Sequence, residues 1–155
     1  MNASKVLFAT DFATSEAALE VATSLARAAG ATLLIVHVEE PPLAYGGIAF
    51  DYRPDEPREE TLRTLKEVVP TDISVPFEHR LIAGLPAPAI LELARREKVD
   101  LIVLATHGRS GLSSMVMGSV AEEVVRKEKC PVLTVKSAAA AARVNRSSAA
   151  CAAPA

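Results

Sequence analysis

The chain has no tryptophan, two tyrosines and four phenylalanines in 155 residues. Its interior must therefore be aliphatic, and half of the residues are apolar, enough for a core of Val, Leu, Ile and Ala. Cysteine is almost as scarce. Cys130 and Cys151 are the only two, and their spacing fits neither a zinc site nor a disulfide framework. Both are expected as free thiols in a reducing cytosol, with Cys130 buried or interfacial and inert. A basic stripe is also missing. The net charge is −2, which argues against nucleic acid as a partner. No apolar run approaches the roughly 20 residues of a membrane span. Met1 to Val6 lacks the basic and then apolar regions of a secretory leader, so the location is read as cytoplasmic and no membrane is expected as a partner. Absent too are the Walker A, dinucleotide-binding and nucleophile-elbow patterns. The histidines, His37, His79 and His107, are scattered. They make no metal set and pair with no nucleophile, so no catalytic residue and no metal ligand is assigned, and each is expected in a structural role.

What the chain does contain is alternation. Lys5 to Ala9, Thr32 to Val38, Ser74 to Ile82, Leu101 to Leu104 and Val132 to Val135 read as strands. The second is continuously apolar, as strands buried on both faces are. On the third, Val75, Phe77, His79 and Leu81 alternate. Between the strands lie segments of helical period. The first opens at Thr14 or Ser15, carries Ala17, Val21, Leu25 and Ala28 at helical spacing, and stops at Gly30. The second runs from Pro57 to Val69, with Leu62, Leu65 and Val69 on one face. The third runs from Pro88 to Lys98 after a turn over 84–88, with Ile90, Leu91 and Ala94 inward. The fourth runs from Ser119 to Lys127. A long connection over 39–55 is either a cover for a site or interface or a mobile surface loop. The β-α-β-α-β-α-β-α-β order predicts one α/β domain over 1–136, a doubly wound parallel sheet with helices on both faces. Residues 137–155 turn Ala- and Ser-rich without apolar period, and are expected as a disordered tail.

Ligands of open α/β sheets bind beyond the carboxyl ends of the strands, where strand order reverses. Two loops matter in that light. One follows the first strand, at Ala9, Thr10 and Asp11. The other, "ATHGRSGLSSMVMGSV", follows the fourth. Gly118 and Ser119 open a helix whose free N–H groups attract anions, and Gly108 with Arg109 stands at the loop's other end, where a guanidinium clamps phosphate. Ser119 with Glu122 three residues on also reads as a capping box, which needs no ligand. Chemistry alone leaves these readings even. A phosphoacceptor receiver domain is set aside, because the third strand ends in "LIAG" without an acid.

The pieces "VLFATDFATSEAAL", "LIVHV", "DLIVLATHGRSGL", "MGSVAEEVV" and "CPVLTV" together resemble the universal stress protein family, from Val6 to Lys136. The resemblance implies an adenine nucleotide alpha hydrolase-like fold, with a five-stranded sheet of order 3-2-1-4-5. It also implies a homodimer through the last strand, Val132 to Val135. The family's ATP-binding branch carries G-x2-G-x9-G-(S/T). On this chain Gly108, Gly118 and Ser119 match, and the first position is Ala105. A methyl there either crowds a ligand lying on the backbone or points away from it. By the same resemblance Asp11 meets a ribose hydroxyl or the adenine amino group, Val38 borders adenine, Ala9 and Thr10 line the crevice, and Val120 follows at the phosphate end. ATP is then the ligand, bringing Mg²⁺ on its phosphates, in a nucleotide-responsive stress or regulatory module with at most slow hydrolysis. The alternative is a dimeric member of the family that binds no nucleotide and acts through protein interactions.

Overall fold

The computed structural model describes residues 3–13, 15–41, 58–106 and 117–136. Nine elements alternate: β1 (Lys5–Ala9), α1 (Glu16–Ala29), β2 (Thr32–Glu39), α2 (Glu59–Glu67), β3 (Phe77–Ala83), α3 (Pro86–Glu97), β4 (Leu101–Ala105), α4 (Ser119–Lys127) and β5 (Val132–Val135). The strands form one parallel sheet of order β3-β2-β1-β4-β5. The reversal at β1 and β4 follows from right-handed crossovers that wind outward in both directions from the centre.

The period-2 geometry of the strands splits the core in two. Val6, Phe8, Leu33, Ile35, Leu101 and Val103 face α1 and Leu65 of α2. Leu7, Leu34, Val36, Ile102 and Leu104 face α3 and α4, where they meet Ile90, Leu91, Leu93, Ala94, Ala121 and Val124. Phe8 is fully buried, and truncating such a ring to alanine costs about 3–5 kcal/mol.

Local corrections to the sequence reading have physical causes. The buried stripe of α1 is Ala18, Ala22, Thr23 and Ala26, a step away from Ala17, Val21, Leu25 and Ala28. Small side chains let the helix approach the sheet closely, so alanine takes the centre while Leu19 and Leu25 flank it. The helix ends where expected, with Gly30 left-handed at φ 65°. Its start has Ser15 as cap residue without a side-chain capping bond, and Thr14 lies outside the described residues. Helix α2 stops at Glu67, so Val69 leaves its face and stands 43% exposed, while Val68 packs on the core instead. Helix α3 begins at Pro86, two residues before the expected Pro88. Both prolines fall in the first turn, where a missing N–H costs nothing. Strand β3 starts at Phe77, with Val75 buried ahead of it. It is an edge strand, so Phe77 is partly exposed and His79 turns back to donate from Nε2 to the Val68 carbonyl at 2.7 Å. The disorder expected of 137–155 and most of the 39–55 connection concern residues outside those described.

No helix among the described residues is long and apolar enough to cross a membrane. Cys130 is half-buried, and burial with the nearby Glu128 carboxylate pushes its thiol above the ordinary range. That disfavours the reactive thiolate.

Candidate functional site

A cavity of about 650 Å³ opens at the carboxyl ends of β1, β2 and β4, at the point where strand order reverses. That volume suits a small-molecule ligand. Ala9, Thr10 and Asp11 line its centre. Val38 and its strand neighbours line one end, and Ala105, Gly118, Ser119 and Val120 the other. The candidate residues named from sequence therefore converge on one crevice, except Gly108 and Arg109, which lie outside the described residues.

The floor is built by a chain of donors. The Phe12 N–H donates to Thr10 Oγ1 (3.0 Å), that hydroxyl to Ser15 Oγ (2.9 Å), and the Ser15 hydroxyl to Asp11 Oδ1 (3.1 Å). The Ala13 N–H reaches the same oxygen at 3.1 Å. Thr10 and Ser15 are buried, so the relay sits in a low dielectric and fixes the Asp11 carboxylate before any ligand arrives. Phe12 takes a left-handed backbone at φ 67°, a conformation costing about 1–2 kcal/mol for a residue with a Cβ. In return its ring stacks on the imidazole of His37, centroids 4.0 Å apart. His37 Nδ1–H donates to the Thr10 carbonyl at 2.8 Å, while the Thr10 N–H donates to Val36 at 2.8 Å. His37 thus stands at the wall of the crevice, hydrogen-bonded and stacked.

The other wall is the start of α4. Gly118 N–H donates to the Thr106 carbonyl at 2.6 Å, and Thr106 N–H to Val135 at 2.9 Å. These two bonds pin the first turn of α4 beside the end of β4. The capping-box reading of Ser119 is corrected here. The cap residue is Gly118, at φ −59° and ψ 149°, and Ser119 is already the first helical residue. Glu122 N–H bonds the Gly118 carbonyl, so the donors of the three preceding residues point out of the helix start with no intrahelical acceptor. The Ser119 side chain is exposed. The methyl of Ala105 packs with the α1-side cluster, whereas α4 packs on the opposite face.

Residues that the sequence did not single out complete the cavity. Glu39, Glu40, Arg58 and Thr61 stand at the β2 end, and Pro86 and Ile90 of α3 supply apolar wall. Glu39 Oε1 accepts from the Thr61 hydroxyl at 3.3 Å and lies 3.4 Å from Arg58 Nε. No short-range signal marks them, because α2 and β2 meet only through the tertiary fold. Among the described residues, no three His, Cys, Asp or Glu side chains converge to hold a metal ion.

Comparison with known proteins agrees with this architecture. A universal stress protein of Thermus aquaticus, described by its place in the 3′ region of a QAH/OAS sulfhydrylase gene, is 39% identical over 120 residues, 77% of this chain and 88% of its own length. Protein MJ0577 of Methanocaldococcus jannaschii superposes with a TM-score of 0.69 at 25% identity, over 88% of this chain and 97% of that one. A universal stress protein solved in complex with cAMP superposes at 0.64 with 27% identity, over 88% and 99%. The model of the Universal stress protein family matches residues 2–136, and the chain belongs to that family.

Proposed function

We propose that this protein binds an adenine nucleotide, ATP, in the crevice between β1, β2 and β4, and works as a nucleotide-responsive stress or regulatory module. The observation that carries this reading is the bond from Gly118 N–H to Thr106, which fixes the open first turn of α4 at the rim of the cavity. Helix N-termini attract phosphate through free N–H groups and the positive end of the dipole. The phosphates would lie on the N–H groups of Ser119 and Val120 and on the Ser119 hydroxyl, with Gly108 and Arg109 as further ligands. Mg²⁺ would arrive on the phosphates. The Asp11 carboxylate, held by Ser15 and Ala13, would accept from a ribose hydroxyl, since two anions repel and phosphate belongs elsewhere. Val38 would border adenine. Ala9, Thr10 and Ala105 would line the crevice. The relative solved with cAMP supports an adenine nucleotide as the ligand class.

We also propose a homodimer through β5. This strand is the last of the sheet, bonded to β4 on one side, and an edge without a strand partner among the described residues is a template for pairing with a second copy.

Thermal unfolding with increasing Mg-ATP tests the first proposal. A ligand that binds only the folded state must raise the melting temperature. A constant melting temperature up to millimolar ATP would overturn it, and leave a dimeric protein that acts through protein contacts alone.

A further inference from the structure

The cavity is electrically lopsided. At the α4 end it offers N–H donors. At the β2 end, among the described residues, it offers the carboxylates of Glu39 and Glu40 and the guanidinium of Arg58. The two ends are separated by two strand spacings, β4 to β1 to β2, or about 10 Å. That is the scale of a nucleoside. A ligand that satisfies both ends carries its anion at α4 and hydrogen-bond donors at β2.

Glu39 is the group best placed to read those donors. Its side chain is only 13% exposed, and it lines the cavity. Its Oε1 is engaged twice, by Thr61 Oγ1 and by Arg58 Nε. Its Oε2 makes no hydrogen bond among the described residues. One oxygen is thus held, the other has no hydrogen-bond partner among the described residues, and the residue lines the cavity. A carboxylate on a largely buried side chain favours a donor and disfavours an acceptor.

Resting on the adenine-nucleotide reading above, we infer that Glu39 selects the base: its Oε2 accepts from the 6-amino group of a purine, with Thr61 and Arg58 as positioning residues. Guanine fits this arrangement poorly. Its N1–H and 2-amino group take both oxygens of a carboxylate side by side, and here Oε1 is already occupied. Its 6-oxo group would also face the carboxylate as a second acceptor. The same charge keeps the triphosphate away from the β2 end, so Glu39 sets the direction of the ligand as well as its base.

The test compares ATP, GTP and purine riboside triphosphate, which is ATP without the 6-amino group, by titration calorimetry on the full chain. The wild type should prefer ATP over both by roughly tenfold or more, the usual worth of a buried polar contact to a ligand group. In Glu39→Gln the amide oxygen stays with its donors, Thr61 and Arg58, and the NH₂ group replaces the free acceptor. The preference for ATP over the riboside should then shrink to within about threefold. Thr61→Val keeps the carboxylate but loosens it, and should lower the same ratio, which carries the test if Glu39→Gln fails to fold. An unchanged ratio in both variants, equal loss of all three nucleotides, or a wild type that prefers GTP would overturn the inference while nucleotide binding itself stands. A wild type that binds none of them overturns nucleotide binding and the inference together.

Discussion

The N–H of Gly118 and the carbonyl of Thr106 lie 2.6 Å apart, so the residue that opens α4 is tied to the residue that follows β4. Whatever binds at the start of α4 therefore meets a first turn tied to the end of β4.

Gly118→Val tests that placement. Gly118 sits at φ −59° and ψ 149°, an extended conformation that any residue adopts. The loss of a good cap residue should cost about 1 kcal/mol of stability at most. The valine side chain would nevertheless stand where phosphate must approach the backbone. The expected result is a folded variant, by circular dichroism, whose melting temperature no longer responds to Mg-ATP. A normal response would place the phosphates elsewhere.

The extent to which the sequence foretold this site differs from residue to residue. The buried parallel strands followed from apolar runs such as "LIVHV", because continuous burial leaves a composition signature, whereas their order, and with it the switch point, came from the family resemblance. The Ser119 capping box did not survive, because Gly118 and Ser119 are equally plausible cap residues until the bond to Thr106 fixes where the helix begins. Likewise Pro86 and Pro88 both suit a first turn, and only the packing of Ala87 and Ile90 chose the earlier start. Glu39, Arg58 and Thr61 were invisible as a group, since their contact depends on how α2 docks on β2.

Ala105 stands where the proposed resemblance to the ATP-binding branch expects glycine, yet its methyl packs with the α1-side cluster while α4 lies on the other face. Ala105→Gly should thus leave ATP affinity within about threefold while costing roughly 0.5–1 kcal/mol of stability through added chain entropy. Calorimetric titration and urea unfolding measure the two effects. A large gain in affinity would show that the methyl crowds the ligand.

A second ion-pair cluster lies at the opposite end of the strands. Lys5 Nζ sits 2.6 Å from Glu97 Oε2, and Arg80 Nε 3.6 Å from Glu97 Oε1. The hydrogen bond from Lys5, aided by the charges of Lys5, Arg80 and Arg96, holds the Glu97 carboxyl below its ordinary range against the opposing effect of burial. A depressed carboxyl stabilises the fold above its unfolded pKa, and that contribution fades as pH falls through the lower folded value. Glu97→Gln should accordingly melt below the wild type at neutral pH, and the gap should close under acid, below about pH 4. Melting curves across that range decide it, and a gap independent of pH would remove the ion pair as its cause.

The outer edge of β5 bears on assembly. Leu133 sits mid-strand and is 37% exposed, an apolar side chain on a strand whose outer edge has no backbone partner among the described residues. Lysine on an edge strand is a common device against pairing, because a second copy would have to bury its charge. Leu133→Lys should leave the melting temperature of the monomer nearly unchanged, since the side chain contributes little to the core, and should shift the protein from dimer to monomer in light scattering. If the wild type is itself monomeric at micromolar concentration, or if the lysine variant remains dimeric, β5 is not the interface. A dimer that persists with lysine in place would then have to form through another surface, and exchange protection of the β5 amides in wild type and variant would show whether the strand is covered.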